Sequence, residues 1–99
     1  MKSELLNLTM NDGSRQFAEI SETVFFDKLR EFAKSLKGAK ETDFITDWIT
    51  EVWLDFEYRG NKFSINNQFG EYWFFVRNPI CSDEILIEVY EHFRNLLEK

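Results

Sequence analysis

The amino-acid pattern predicts an α+β fold: an antiparallel β-meander of about four strands with two amphipathic helices packed on one face. Three observations predict it. Residues 22–37 and 83–98 carry apolar side chains at helical spacing, residues 52–77 alternate as strands do, and two turn signals punctuate the alternating stretch. The chain's 99 residues fit a single domain. A domain of that size buries roughly 60–70% of the surface its unfolded chain exposes, enough for one core without a disulfide or a metal.

At the N-terminus, residues 4–10 and 15–20 are short apolar stretches around Asn11-Asp12-Gly13-Ser14, a good turn signal. A frayed hairpin and a loose N-terminal arm both fit residues 1–20. Over 22–37, Phe25, Phe26, Leu29, Phe32, Ala33 and Leu36 fall on one helical face. Ser21 is the expected N-cap, and Ile20 with Phe25 the expected hydrophobic staple. Lys34 and Lys37 suit the negative end of the dipole, and Gly38 offers a left-handed stop.

The antiparallel sheet is expected over 41–77. In 41–51, Thr42, Phe44 and Thr46 alternate, whereas Ile45, Trp48, Ile49, Val52 and Trp53 are also spaced like a helix face. An edge strand followed by a loop is the favoured reading. Arg59-Gly60-Asn61-Lys62 is a tight-turn signal, with Gly60 and Asn61 suited to positive φ; it pairs Tyr58 with Phe63 and Phe56 with Ile65. The next reversal lies at Gln68-Phe69-Gly70-Glu71 and sets Asn67 opposite Tyr72, Ile65 opposite Phe74 and Phe63 opposite Val76. Phe is a poor residue for positive φ, so this turn is expected to exceed two residues. Both turns give the same parity. One face then holds Leu54, Phe56, Tyr58, Phe63, Ile65, Asn67, Tyr72, Phe74 and Val76. The other holds Trp53, Asp55, Glu57, Lys62, Ser64, Asn66, Trp73, Phe75 and Arg77, a mixed surface. Pro79 ends the last strand, Ser82 caps the second helix, and Leu86, Val89, Tyr90, Phe93, Leu96 and Leu97 form its apolar stripe.

Charge narrows the function. With 12 Lys+Arg against 18 Asp+Glu the net charge is −6. Nucleic-acid binding draws much of its affinity from phosphate neutralisation, so this balance argues against a direct nucleic-acid binder, and equally against docking on an anionic membrane. Aromatics on a sheet face also occur in RNA-binding modules, but there basic residues surround them, and here Asp55 and Glu57 do. The single cysteine, Cys81, forms no internal disulfide, and Met1–Leu6 has no long apolar run of a secretory signal, so cytosolic residence is the expectation.

Catalytic and metal motifs are missing from the sequence. No CxxC, HExxH, calcium-loop or phosphate-loop spacing occurs, so neither a cofactor nor a metal is expected. His92, the only histidine, reads as a boundary residue. Cys81 precedes a helix N-terminus, where a thiolate gains stability, but its staple position opposite Leu86 favours a packing role. Asp55 and Glu57 share a face and with Trp53 resemble a general acid–base pair; a solvated strand face is the commoner reading, and a meander of this size offers no obvious cleft. A small enzyme built on Cys81, His92 or this pair is the least favoured function.

The informative stretch is acidic. Glu41, Asp43, Asp47, Glu51, Asp55 and Glu57 occur with no Lys or Arg between Lys40 and Arg59, and Trp48 and Trp53 are interleaved. Such charges protect an edge strand from aggregation, and they also suit a docking surface for a basic partner. Trp73 and Phe75, on the same face as Trp53, extend that surface; cover by the N-terminal segment, or self-association, are the bland alternatives. The candidate partner-binding residues are therefore Asp43, Asp47, Trp48, Glu51, Trp53, Asp55, Glu57, Trp73 and Phe75.

Val52–Phe63, with its Trp53-Leu54-Asp55-Phe56-Glu57 core, followed by Gly70-Glu71-Tyr72-Trp73-Phe74-Phe75-Val76 and the C-terminal helix, resembles small acidic bacterial immunity proteins of contact-dependent inhibition and other polymorphic toxin systems. The resemblance is one of size, acidity and layout over roughly the C-terminal half. It implies a cytosolic protein that binds and neutralises a cognate toxin domain, often a nuclease, and it carries over no individual site residue. Another protein-binding inhibitor or a nucleic-acid mimic, for example phage-encoded, is the alternative.

Overall fold

The computed structural model describes residues 5–98. Met1 to Glu4, the start of the expected hairpin or arm and most of the segment read for a secretory signal, lie outside the described residues, as does Lys99. The elements in order are β1 (Leu8–Thr9), β2 (Arg15–Ser21), α1 (Phe26–Ser35), β3 (Lys40–Thr46), β4 (Val52–Tyr58), β5 (Asn61–Gln68), β6 (Glu71–Val76) and α2 (Asp83–Leu97). The strands form one antiparallel sheet of six in the order β1-β2-β6-β5-β4-β3. The α+β class and the common helix face stand. The expected four strands become six, because the N-terminal hairpin joins the sheet beside β6.

That hairpin was ambiguous for a physical reason. In β2 the register slips between Gln16 and Ala18, so Phe17 is an extra residue opposite β6. The bulge lets Phe17, Ala18 and Ile20 all sit buried, which breaks the simple alternation a strand would show. Asp12 shapes the turn: its carboxylate accepts from the Ser14 backbone N–H and hydroxyl.

The meander pairs as alternation demands. Asn67 faces Tyr72, Ile65 faces Phe74 and Phe63 faces Val76, as expected. At the first turn the pairs are instead Tyr58–Asn61, Phe56–Phe63 and Leu54–Ile65. The hairpin is two residues tighter than expected, with Arg59 at φ 50° and Gly60 at φ 79° as its central residues. A shift of two preserves parity, so every side chain stays on its expected face. The second turn is also a two-residue one: Phe69 takes φ 50° and Gly70 φ 79°. Matching the right-handed twist of the flanking strands prevails over the cost of positive φ at Phe69.

The buried face carries an aromatic stack. Phe93 of α2 lies 6.1 Å from Phe56 and 5.0 Å from Phe74, Phe56 stacks on Phe63 at 5.3 Å, and Phe17 meets Phe63 edge-on at 5.7 Å. Leu86, Val89 and Leu97 add the rest of the α2 stripe, and Phe26, Leu29 and Ala33 supply α1's contribution. Ser82 caps α2 as expected, accepting from the Ile85 N–H. Helix α1, expected over 22–37, starts only at Phe26; Ser21 is not its cap and Ile20–Phe25 not its staple. Sheet pairing claims the chain first: Ser21 pairs with Glu71, and the Glu22 N–H donates to the Gly70 carbonyl. Gly38, at φ 93°, is the left-handed residue past the helix end.

Polar ties close the layers. Arg15 is 8% exposed; its Nε and Nη2 donate to the Leu6 carbonyl, and its Nη1 lies 3.3 Å from Asp83 at the start of α2. His92 Nε2 sits 2.7 Å from the Phe32 carbonyl and 3.1 Å from Ser35 Oγ, joining the two helices. Tyr72 is fully buried, and its hydroxyl donates to the Val24 carbonyl at 2.6 Å, fixing the segment that leads into α1. Tyr72→Phe removes that donor and should destabilise the fold by about 1–2 kcal/mol. Urea denaturation monitored by circular dichroism measures it; an unchanged midpoint would deny the bond a structural role.

Candidate protein-binding site

The face away from the helices is built by β-strand parity. Three strands place a grid on it: Trp53, Asp55 and Glu57 from β4; Asn66, Ser64 and Lys62 from β5; Trp73 and Phe75 from β6, continued by Arg77. Edge strand β3 adds Ile45 beside Trp53 and Asp43 beside Asp55. On the far side β2 adds Glu19 beside Trp73 and Gln16 beside Phe75. The N-terminal hairpin therefore extends the sheet, with its turn beside Phe75, and Trp73 and Phe75 stay partly exposed.

Read along the strands, the face is graded. One rank is charged and mixed (Lys40, Glu57, Lys62), the next acidic and polar (Asp43, Asp55, Ser64), and the next apolar (Ile45, Trp53, Trp73) around Asn66. The small side chains of β5 leave a groove between the β4 and β6 walls. It encloses about 640 Å³, with Trp53 and Phe75 as apolar lining, Asp55 and Glu57 from β4, Lys62 from β5 directly opposite Glu57, and Arg77 beyond the end of β6. The Met10–Ser14 turn borders it. This corrects the expectation that no cleft exists: twist and the small Ser64 supply one, and the Asp55–Glu57 pair lies in it. Asp55 accepts from Ser64 Oγ at 2.7 Å.

The electrostatics of the two faces differ. On the helix side, Arg30 engages Glu41 through two contacts of 2.7 and 2.9 Å, and Arg59 holds Glu88 at 2.9 Å. These cations keep both glutamates below the usual carboxylate range. Among the described residues, no ion pair includes Asp43, Asp55, Glu57, Lys62 or Arg77. Asp43 and Asp55 face each other directly across β3 and β4, a like-charge pair that costs stability. Buried Asn66 Oδ1 and Trp73 Nε1, on directly paired residues, also have no partner.

The expected site residues do not all share this face. Asp43, Trp53, Asp55, Glu57, Trp73 and Phe75 do. Trp48 is on the other side of the sheet edge, its ring 5.7 Å from Phe44 and 6.4 Å from Phe25. Asp47 is turned to the chain itself: its carboxylate accepts from the N–H groups of Ile49, Thr50 and Glu51 and from the Thr50 hydroxyl. Those donors hold its pKa far below the ordinary aspartate value. Glu51 is exposed in the same loop.

Sequence reasoning missed several exposed apolar side chains. Phe25, Ile45, Ile49 and Phe69 join Trp48 and Trp53 at one end of the molecule, where the β3–β4 loop, the β5–β6 turn and the start of α1 meet. Phe69 is 93% exposed, with its ring 6.5 Å from Trp73. An aromatic in the middle of a tight turn was the available signal, since that position does not reach a core. No Lys or Arg occurs in 16–27, 41–58 or 63–76, so these segments bring apolar and acidic side chains to this end; the cations beside it come from α1, where Lys28 follows Asp27 and Arg30 lies over Phe44 in the grip of Glu41.

The remaining chemical candidates are dispersed. Cys81 is buried, and burial pushes its thiol up, which favours the packing role. His92 clasps the helices on the opposite side of the sheet from Asp55 and Glu57.

Phe69→Asn installs the Asn-Gly sequence that suits this turn and should raise stability by about 0.5–1 kcal/mol, and Asp43→Asn should raise it by about 0.2–1 kcal/mol at low salt. Denaturation midpoints check both; a loss of stability in either would mean the group is supported by contacts within the fold. Asp47 has a depressed folded-state pKa, so its stabilising effect on the loop is present above the unfolded value of about 3.9 and is lost as pH falls through the lower folded one. NMR titration of its carboxyl carbon should give a midpoint below about 3.9, with the 49–51 amides losing protection only as that transition is crossed.

No family model, curated protein or solved structure matches the chain.

Proposed function

We propose that the chain is a protein-binding inhibitor of the immunity type, which captures and neutralises a basic toxin domain in the cytosol. The observation that carries this reading is the division of labour between the two faces. On the helix side Arg15, Arg30, Arg59 and Arg94 are each held by a carboxylate, whereas among the described residues Asp43, Asp55 and Glu57 on the open face are in no ion pair and stand beside Trp53, Trp73 and Phe75, with Lys40 and Lys62 on the strands flanking Glu57. Aromatics at the centre of an interface supply most of the binding energy, and uncompensated acids steer a basic partner and gain a counter-charge on contact. A nuclease domain, basic because its substrate is a polyanion, has the complementary charge.

The reading expects a neighbouring gene that encodes a toxin domain, and the experiment pairs the chain with that domain; a neighbourhood without one would count against the reading. Co-expression should restore growth, and the purified pair should bind with a Kd that rises at least about tenfold from 50 to 300 mM salt. Trp53→Ala with Trp73→Ala should weaken binding about 30-fold or more while the chain stays folded. Growth arrest that persists with the chain well expressed would overturn the reading.

A further inference from the structure

The β3–β4 loop, residues 47–51, presents apolar side chains outside the buried core: Trp48 rests one side of its ring on Phe25 and Phe44 and leaves the rest open, and Ile49 projects from the loop. Trp48 is 52% exposed and Ile49 77% exposed. A connection between two strands needs no tryptophan, and polar turn residues form one at less cost. Trp48 moreover holds φ 59°, a left-handed conformation that disfavours a residue with a Cβ.

The loop is nevertheless fixed. Asp47 takes its four hydrogen bonds from the following turn. The Thr46 hydroxyl accepts from the Trp48 N–H and donates to the Glu51 carbonyl. From β5, Asn67 donates to the Thr50 carbonyl and accepts from the Val52 N–H. Every one of these bonds shapes the backbone, and none shields Trp48 or Ile49. Holding apolar side chains in place before contact lowers the entropy lost on binding.

Charge selects the occupant. Asp47 and Glu51 flank the two apolar residues and Glu22 and Asp27 flank Phe25, while the neighbouring cations belong to α1, where Lys28 follows Asp27 and Arg30 is engaged by Glu41. A second copy of this chain, at net charge −6, would set these acids against one another. A basic protein surface complements them.

The geometry points to the 47–51 loop as a pre-organised anchor that inserts Trp48 and Ile49 into an apolar pocket rimmed by Lys or Arg on the protein partner. Asp47 is the positioning residue that holds the anchor in shape. Because Trp48 and Trp53 lie on opposite sides of the sheet at strand β3, the partner straddles that edge. This rests on the toxin-binding reading above and specifies where the partner grips.

The test measures Kd for the toxin domain encoded beside the gene, with circular dichroism confirming that each variant folds. Trp48→Ala should weaken binding about 30-fold or more and Ile49→Ala about 5-fold or more. Asp47→Ala should weaken it about 10-fold and also accelerate amide hydrogen exchange at residues 49–51 of the free chain, which Ile49→Ala should leave unchanged. If Trp48→Ala and Ile49→Ala both bind within twofold of the parent while Trp53→Ala weakens binding, the anchor is wrong and the toxin-binding reading stands. If the parent chain does not bind the toxin domain, that reading falls and the anchor with it. Tight self-association that Trp48→Ala abolishes would assign the loop to a second copy and overturn the proposal.

Discussion

The structure depends on one constraint: the sheet has a single covered face. Phe93 enters between Phe56 and Phe74, and Phe17 and Phe63 complete the stack. Truncating a buried phenylalanine of this kind typically costs about 3–5 kcal/mol, a large part of a small domain's stability. Parity then does the rest. Once Phe56, Phe63 and Phe74 must face the helices, Asp55, Ser64 and Phe75 must face away. The groove and its uncompensated acids are therefore a consequence of how the core is packed. Their residue types are free to serve something else.

This explains what could be read from the sequence. The faces of β4, β5 and β6 were legible because alternation is a property of the chain itself, and it tolerated an error of two residues in the first turn. The edge strand β3, the α2 helix and its Ser82 cap were legible for the same local reasons. What was hidden involves competition between distant segments. Residues 21–25 have helical spacing, but β6 recruits them into or beside the sheet. Strand β2 carries a bulge that masks its period. Phe69 takes a conformation that its own preferences oppose, because two strands with a common twist must be joined in two residues. The groove was invisible for a further reason: it arises from the small size of Ser64 between larger neighbours, which is a property of three strands together.

The candidate site was legible in composition and not in arrangement. The base-free run from Glu41 to Glu57 identified the right region. It did not reveal that the run folds around an edge, sending Trp53 to one side and Trp48 to the other. Nor did it separate acids by role. Glu41 is consumed by Arg30, and Asp47 is consumed by its own loop. Only Asp43, Asp55, Glu57 and Glu51 remain open to an incoming cation, so counting acids overstates the charge a partner meets.

Most of the costs in this fold are concentrated, and their location bears on function. A like-charge pair at Asp43–Asp55, a left-handed Trp48, a left-handed Phe69 and two unpartnered buried atoms at Asn66 and Trp73 lie on the open face or on the loop and turn that border it, whereas the other left-handed non-glycine residue, Arg59, lies in the β4–β5 turn and is held by Glu88. On the helix side the ion pairs among the described residues, the Ser82 cap and the Tyr72 hydroxyl bond instead favour the folded state. A chain selected for stability alone would have little reason to keep its unfavourable terms on one surface, since single substitutions such as Phe69→Asn remove them. Segregation of this kind is what a surface shows when its residues are retained for contact. In the proposed complex a partner's cation would relieve Asp43 and Asp55, and a partner's apolar pocket would take Trp48 and Ile49 out of water. The free energy withheld from folding would then be available at the interface.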